Sequence, residues 1–558
     1  MAFYQIVAIA LLASSLLFAE EDTPPTKQIL YSMHSGDINR ALELYQKFYQ
    51  EKGRHDLELI QQIGLILLDK GYRQGDAEVQ LLTLYGAGIS TNEKCLYILE
   101  NGMNNPVPQL QLAALNLLAK YNTDSTDELL NRALGSNHLI IRMEALLHIA
   151  EKKHPKAVGQ IEALMAKLDE SLYPLFPQLF AMVGDASATK ALKRMLSYPD
   201  EEVRVAAIRA VAKFERDDLL SQIRKLAAQH DTIQQEACAI ALGMMHDEAS
   251  IARLETLAQS NSSSVRLAAL QALYRLGKKE NRLTIELAAK ENNPFAIALL
   301  GEMPGSEETL YTLSKSNNLQ IRLNAGIALL ELQDPRCLKI IAEILLNDPR
   351  DLAFLKATSL STGLVAWKAV PSAKHNLSDE LVALELSLNM REAILEKAMN
   401  LPANDFILLA EAIFERHQND LVPVLVELLE NMRSPQAIAL LKKYQQKAGA
   451  PLIRNYCTLA LFNLKEEGPY AEQLQNWIKH QREEDLIRFR PYLPWEVRET
   501  GAAYELNPEE KSKFLLVALE SFARTQDDKG IDVLLDVIRH GNTKNRYALA
   551  GLLIRSTM

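Results

Sequence analysis

Along most of the chain, aliphatic residues return every three or four positions, the period of a helix with one buried face. A longer period lies over the short one. The stretches SSSVRLAALQALYRLG (262–277), YPDEEVRVAAIRAVAKF (from Tyr198), SNHLIIRMEALLHIA (from Ser136), SNNLQIRLNAGIALLEL (from Ser316) and GAPLIRNYCTLALFNL (from Gly449) share one pattern, in which an aliphatic residue is followed by arginine. Those arginines are Arg142, Arg204, Arg266, Arg322 and Arg454, and Gln111 and Gln234 stand at the same point of two weaker copies. From Gln111 to Arg322 the successive positions lie 31, 62, 30, 32 and 56 residues apart. The unit is therefore about 30 residues long, and each long gap holds a degenerate copy, one near Tyr173 and one near Ala296.

Within each copy a small residue follows three positions later, alanine everywhere except Cys457, and an apolar residue follows seven positions later. With the aliphatic residue just before the arginine, these lie at i, i+4 and i+8, on one stripe of a helix whose small middle residue lets a neighbour approach closely. A second amphipathic segment precedes each copy, as in SIARLETLAQS, and a short turn of Asn, Ser, Asp or Pro joins the two. Each unit is thus predicted to be a helix hairpin. A lone hairpin cannot bury both of its faces, so neighbours must stack, and the expected fold class is an all-α solenoid.

The segments DEEVRVAAIRAV (200–211) and SSVRLAALQALYRLG (263–277) share the core V-R-x-x-A-x-x-A. In this the chain resembles the HEAT-repeat family, in particular its short, PBS-lyase-like form. The resemblance covers about Leu96 to Leu345 and again about Gly449 to Leu464, with glutamine for arginine in two copies and cysteine for alanine at Cys457. It implies a superhelix of stacked hairpins, and it implies that Arg142, Arg204, Arg266, Arg322 and Arg454 bond an acidic or carbonyl group of an adjacent repeat. Each sits in the first turn of its helix, where a cation opposes the helix dipole, so something local must hold it there. A ladder of arginines that catches an acidic ligand is the other reading.

The pattern divides the chain into an N-terminal signal peptide or anchor (1–19), a helical cap that faintly resembles a tetratricopeptide unit (20–95), the HEAT-type array (96–347), a divergent stretch (348–448) and C-terminal HEAT-like repeats with a Trp- and Pro-containing loop and a cap (449–558). In 348–448 the helices are expected to continue as degenerate repeats or as an inserted helical module. Two stretches break the rhythm, STGLVAWKAVPSAKHNLSDE (361–380) and REEDLIRFRPYLPWEVRET (482–500). The second sets Phe489, Tyr492 and Trp495 among arginines that include Arg490. This composition suits a partner-binding loop, although the same rings would also tuck a loop onto the array.

Composition adds three points. The first nineteen residues carry no charge, and Ile6 to Phe18 is an apolar run short for a bilayer span, which predicts export to a periplasmic or other extracytoplasmic space. If the segment is not cleaved, it anchors the chain. With 61 basic against 71 acidic residues, the net charge of −10 argues against nucleic acid or anionic lipid as the general partner. Cys95, Cys238, Cys337 and Cys457 lie 143, 99 and 120 residues apart, a spacing that suits buried thiols better than a disulfide framework or a zinc site.

The sequence contains no GxSxG, GxxxxGK[ST], HExxH or EF-hand motif. His246-Asp247-Glu248 falls in an inter-repeat turn and reads as surface, and no His-Glu dipeptide occurs. No cofactor, metal or catalytic residue is expected. The expectation is an exported, non-enzymatic scaffold that binds a protein partner on one face of the solenoid. The alternatives are an enzyme or protein modifier with its site in 348–500, and a small-ligand carrier in the groove.

Overall fold

The computed structural model describes residues 24–558 apart from 122, 348–351, 372–376, 448 and 489–505. The N-terminal segment read as a signal or anchor lies outside the described residues, as do Phe489, Arg490, Tyr492 and Trp495. The described chain is an all-α fold of short helix hairpins with one two-stranded exception.

The turn chemistry explains where helices begin and end. Asp185, Asp200 and Asp231 each accept hydrogen bonds from backbone N–H groups of the first turn that follows, satisfying donors that the helix itself leaves unpaired. At the other end, a residue in the left-handed conformation closes the helix at Lys153, Gly184, Glu215, His246 and Gly277, spaced 31 residues apart. The period read from the arginines is thus repeated by the backbone. His246 is one of these closing residues and is exposed. Its neighbour Asp247 is buried and receives both Nε (2.8 Å) and a terminal nitrogen (2.5 Å) of Arg224, which hold its carboxyl below the usual carboxylate range. The four cysteines are buried and free.

The chain forms two compact units, one made of the residues up to Glu144 with those from Glu467 onward, the other of Ala145–Glu466. In the first unit, the last helix, Asn545–Arg555, packs against Leu57–Gln74 and Ala77–Ile89. The contact is close enough that a Cβ on Gly551 would lie 1.9 Å from the Gly86 carbonyl oxygen. Lys544 bonds Glu78 (2.7 Å), and Arg539 bonds Glu43 (3.0 Å).

In the second unit, first helices and second helices form two layers. The second helices include Phe176–Val183, Glu201–Lys213, Thr232–Met244, Ser263–Arg275, Pro294–Leu299 and Leu319–Glu331. Their small residues meet across the layer, as where Gly243 faces Ala272 and Gly301 faces Ala328.

The divergent stretch departs from the expectation that helices continue beyond 348. Strands β1 (Leu352–Thr358) and β2 (Val365–Pro371) pair antiparallel, with Lys356 opposite Trp367. Alternation in VAWKAV puts Ala366 into the core, and β-branched and aromatic residues favour the extended form. The hairpin interrupts a repeat. Leu338–Leu346 is its first helix, Leu377–Ala398 is its second, and Arg391 lies at the repeat position, donating to Leu345 O (2.6 Å) at the end of that first helix. The Arg391 contact repeats that of the other repeat arginines, although Ile394 stands three positions on where those copies carry a small residue.

Candidate functional site

The repeat arginines share one contact. Arg142, Arg204, Arg266 and Arg322 each donate to the carbonyl six residues earlier, Ser136 (2.6 Å), Tyr198 (2.9 Å), Ser260 (2.7 Å) and Ser316 (2.9 Å). Those carbonyls lie just past the C-terminal end of the preceding first helix, where the dipole is negative and acceptors are left over. A cation that opposes its own helix dipole is thereby placed on the favourable end of its neighbour's.

Gln111 and Gln234 do the same with neutral amides, reaching Met103 O (2.8 Å) and Leu226 O (3.1 Å). Two arginines also bridge to the next repeat. Arg204 reaches Gln234 (2.9 Å) and Asp231 (3.3 Å), and Arg322 takes Glu343 through Nε (3.2 Å) and a terminal nitrogen (2.8 Å), which raises its pKa further. Arg454 is exposed, and residue 448, six before it, lies outside the described residues. An expected result follows: Arg266→Gln should leave the melting temperature nearly unchanged, whereas Arg266→Ala should cost about 1 kcal/mol by thermal or urea unfolding. Equal losses in the two variants would mean that capping of the first helix is not what the position does.

Four of the repeat arginines thus donate to backbone carbonyls of their own repeat. The polar groups that project from the second-helix face lie two positions further on. At that offset the other copies carry Ala113, Glu144, Ala206, Ala268 and Tyr456, but Gln234 is followed by Glu236 and Arg322 by Asn324. Glu236 and Asn324 are buried, and both hold the β-hairpin. Glu236 Oε1 accepts from the hydroxyls of Ser359 and Ser361 (the latter at 2.6 Å) and from the Ser361 N–H (3.4 Å).

Asn324 clamps the strand backbone, donating to Trp367 O (2.7 Å) and accepting from Trp367 N–H (2.8 Å), while Gln320 accepts from Ala369 N–H (3.2 Å). The match is geometric. Residues four apart on a helix are separated by about 6 Å along its axis. Residues two apart on a strand are separated by about 6.6 Å. Amides at 320 and 324 therefore meet successive outward-facing backbone groups of β2. At the turn, Thr362 accepts from Arg209 (2.6 Å), and Gly363 is so close to Ile240 that a Cβ would lie 2.3 Å from its Cδ1.

Beside the turn is a cavity of about 340 Å³. Its wall is apolar, with Pro174, Ile240 and Met244, and Gln178, Arg209 and Lys213 supply its polar groups. Met244 is exposed, as is Leu360 at the tip of the hairpin.

A second cavity, of about 350 Å³, lies in the other unit, between the Tyr45 and His55 region and the helix Asp528–His540. There Tyr45 Oη lies 2.9 Å from His55 Nδ1, His55 Nε2 lies 3.2 Å from Asp532, and Tyr49 stacks on the imidazole at 4.1 Å. Burial pushes the Tyr45 phenol above its ordinary value. Among the described residues, no group of three or more His, Cys, Asp or Glu is gathered as a metal site would need. No described helix is long and apolar enough to cross a membrane.

Residues 181–280 match the HEAT repeats family. No curated protein matches the chain. Among solved structures, the complex of CpcE and CpcF of phycocyanin lyase from Nostoc sp. PCC7120 is similar over 39% of this chain and 94% of that one, at 20% identity and a TM-score of 0.28. The karyopherin Kap121p bound to the extreme C-terminus of the protein phosphatase Cdc14p is similar over 98% of this chain and 81% of that one, at 12% identity and a TM-score of 0.34. Neither likeness bears on what this chain binds.

Proposed function

We propose that this chain is an exported, non-enzymatic repeat scaffold that holds a protein partner on the second-helix face of the unit Ala145–Glu466. The observation that carries the reading is the docking of β2. The face holds an extended backbone through side-chain amides at Gln320 and Asn324, a mode of contact that reads main chain and is open to other strands. The adjoining cavity, with Arg209 and Lys213 beside an apolar wall, supplies a place for an anchoring side chain. Export rests on the uncharged N-terminal segment of the sequence.

The test is in-cell photo-cross-linking of the full-length chain from Lys213 and Met244 on this face, with Lys190 on a first helix as control, followed by mass spectrometry of the captured peptides and of the mature N-terminus. A single partner joined to 213 and 244 but not to 190, on a chain that begins near Glu20, is the expected result. Capture from all three positions alike, or from 190 alone, would sink this choice of face, and an intact Met1 would replace cleavage with anchoring. A small molecule retained in the 340 Å³ cavity of the native protein, in place of any partner, would favour the carrier reading.

A further inference from the structure

We propose that the hairpin 352–371 is a built-in occupant of the partner's seat: a partner presenting a strand that is preceded by a tight turn with serine or threonine at two alternate positions makes the same contacts and displaces it. This rests on the partner-binding reading above and adds to it the chemistry of the partner and the state in which the free protein waits.

Three features of the docking point this way. The contacts along β2 are made to backbone, so they are available to any strand that arrives in the same register. Asn324 takes both groups of Trp367 and Gln320 takes the next outward N–H, and neither depends on the tryptophan ring. The side-chain recognition that does occur is confined to the turn. Glu236 is fully buried, and its Oε1 is held by Ser359 and Ser361, while its Oε2 has no hydrogen-bond partner. A buried carboxylate satisfied on one oxygen only is a poor purely structural contact and leaves an acceptor for an incoming donor.

The hairpin buries part of its apolar surface, with β1 against the helix Leu377–Ala398. Phe354, Leu364 and Ala366 are buried, but Leu360 and Val365 are exposed. Two strands alone are at best marginally stable in water, so a hairpin that leaves the face does not persist as a rival folded body. The face that remains keeps its helices and its caps, since the arginine contacts that hold first helix to second do not involve the hairpin.

Ser361→Asp tests this in the full chain. It removes the Ser361 hydroxyl that donates to Glu236 Oε1 and sets a second carboxylate beside that buried acid, which disfavours the docked turn when both are ionised. The probe is a fluorescein-labelled synthetic peptide with the sequence of residues 352–371. By fluorescence anisotropy, the Ser361→Asp protein is expected to bind it at least about 10-fold more tightly than the wild type, whose seat is filled, and adding Asn324→Ala is expected to weaken binding about 10-fold. Ser359→Ala with Ser361→Ala, which strips Glu236 Oε1 of both hydroxyl donors, serves as the second variant should Ser361→Asp fail to fold by circular dichroism.

Either folded variant binding the peptide no better than the wild type overturns the proposal, as does binding that is indifferent to Asn324. Cross-linking then separates the two readings. A partner captured from Lys213 whose yield rises with Ser361→Asp supports displacement. A partner captured equally well with and without that substitution overturns displacement and leaves the scaffold reading standing. No partner captured from either protein overturns both.

Discussion

Replacing Arg391 with alanine is expected to lower the stability of the unit Ala145–Glu466 by roughly 3–5 kcal/mol, because the substitution removes a fully buried cation and leaves its counterion behind. The Arg391 guanidinium lies 2.7 Å from Asp420 and donates to Leu345 O (2.6 Å) and Gln418 (2.8 Å). It therefore ties the helix that follows the inserted hairpin to the helix before it and to the next repeat. The measurement is hydrogen exchange on Leu338–Leu346 and Ala403–Glu415 across a urea series, since a chain of two units need not unfold in one step. A double variant, Arg391→Met with Asp420→Leu, is expected to recover most of the loss, because an apolar pair carries no desolvation penalty. If Arg391→Ala alone shifts the local midpoint by less than about 1 kcal/mol, the repeat interface is held by packing and the ion pair is incidental.

The second large effect is expected at Gly551. Leucine there would drive its Cβ into the Gly86 carbonyl, and the neighbouring clearance is no better, since a Cβ on Gly86 would meet Tyr547 O at 2.3 Å. Main chain faces main chain, so no rotamer change relieves the overlap, and the cost should reach about 3 kcal/mol or more. The last helix would lose its place on Ala77–Ile89, and with it the burial of Leu549, Leu552, Leu553 and Ile554. Gly551→Leu should therefore make residues 545–558 susceptible to limited proteolysis while the helices of Ala145–Glu466 keep their exchange protection. Uniform loss of protection in both units would show that the last helix is needed for far more than its own docking.

Part of the site is legible in the sequence, at a position of the repeat other than its apolar stripe. The shared apolar offsets of the repeat carry no sign of the hairpin, whereas the offset two after the arginine does. There Glu236 and Asn324 replace the alanine of their closest neighbours in pattern, Ala206 and Ala268. A buried polar residue at a position that is otherwise small marks a place where something other than a helix is met. Arg391 was hidden for a simpler reason. The insertion between Leu346 and Leu377 broke the spacing of about 30 residues on which the register depended.

The sequence by itself determined the helix hairpin, its period and the stripe that each helix buries, because these follow from residues within a turn or two of one another. It also determined where the second helices Glu201–Lys213 and Thr232–Met244 start, through the caps Asp200 and Asp231, and it placed the arginine that reaches the preceding helix end. The tertiary structure alone decided which distant segments share a core: Gly86 against Gly551, Glu236 against Ser361, Asn324 against Trp367. Such pairings join residues from 43 to several hundred positions apart. Local periodicity carries no term for that distance, and only the close fit of particular surfaces, small against small and amide against strand, selects one pairing from the many that the pattern permits.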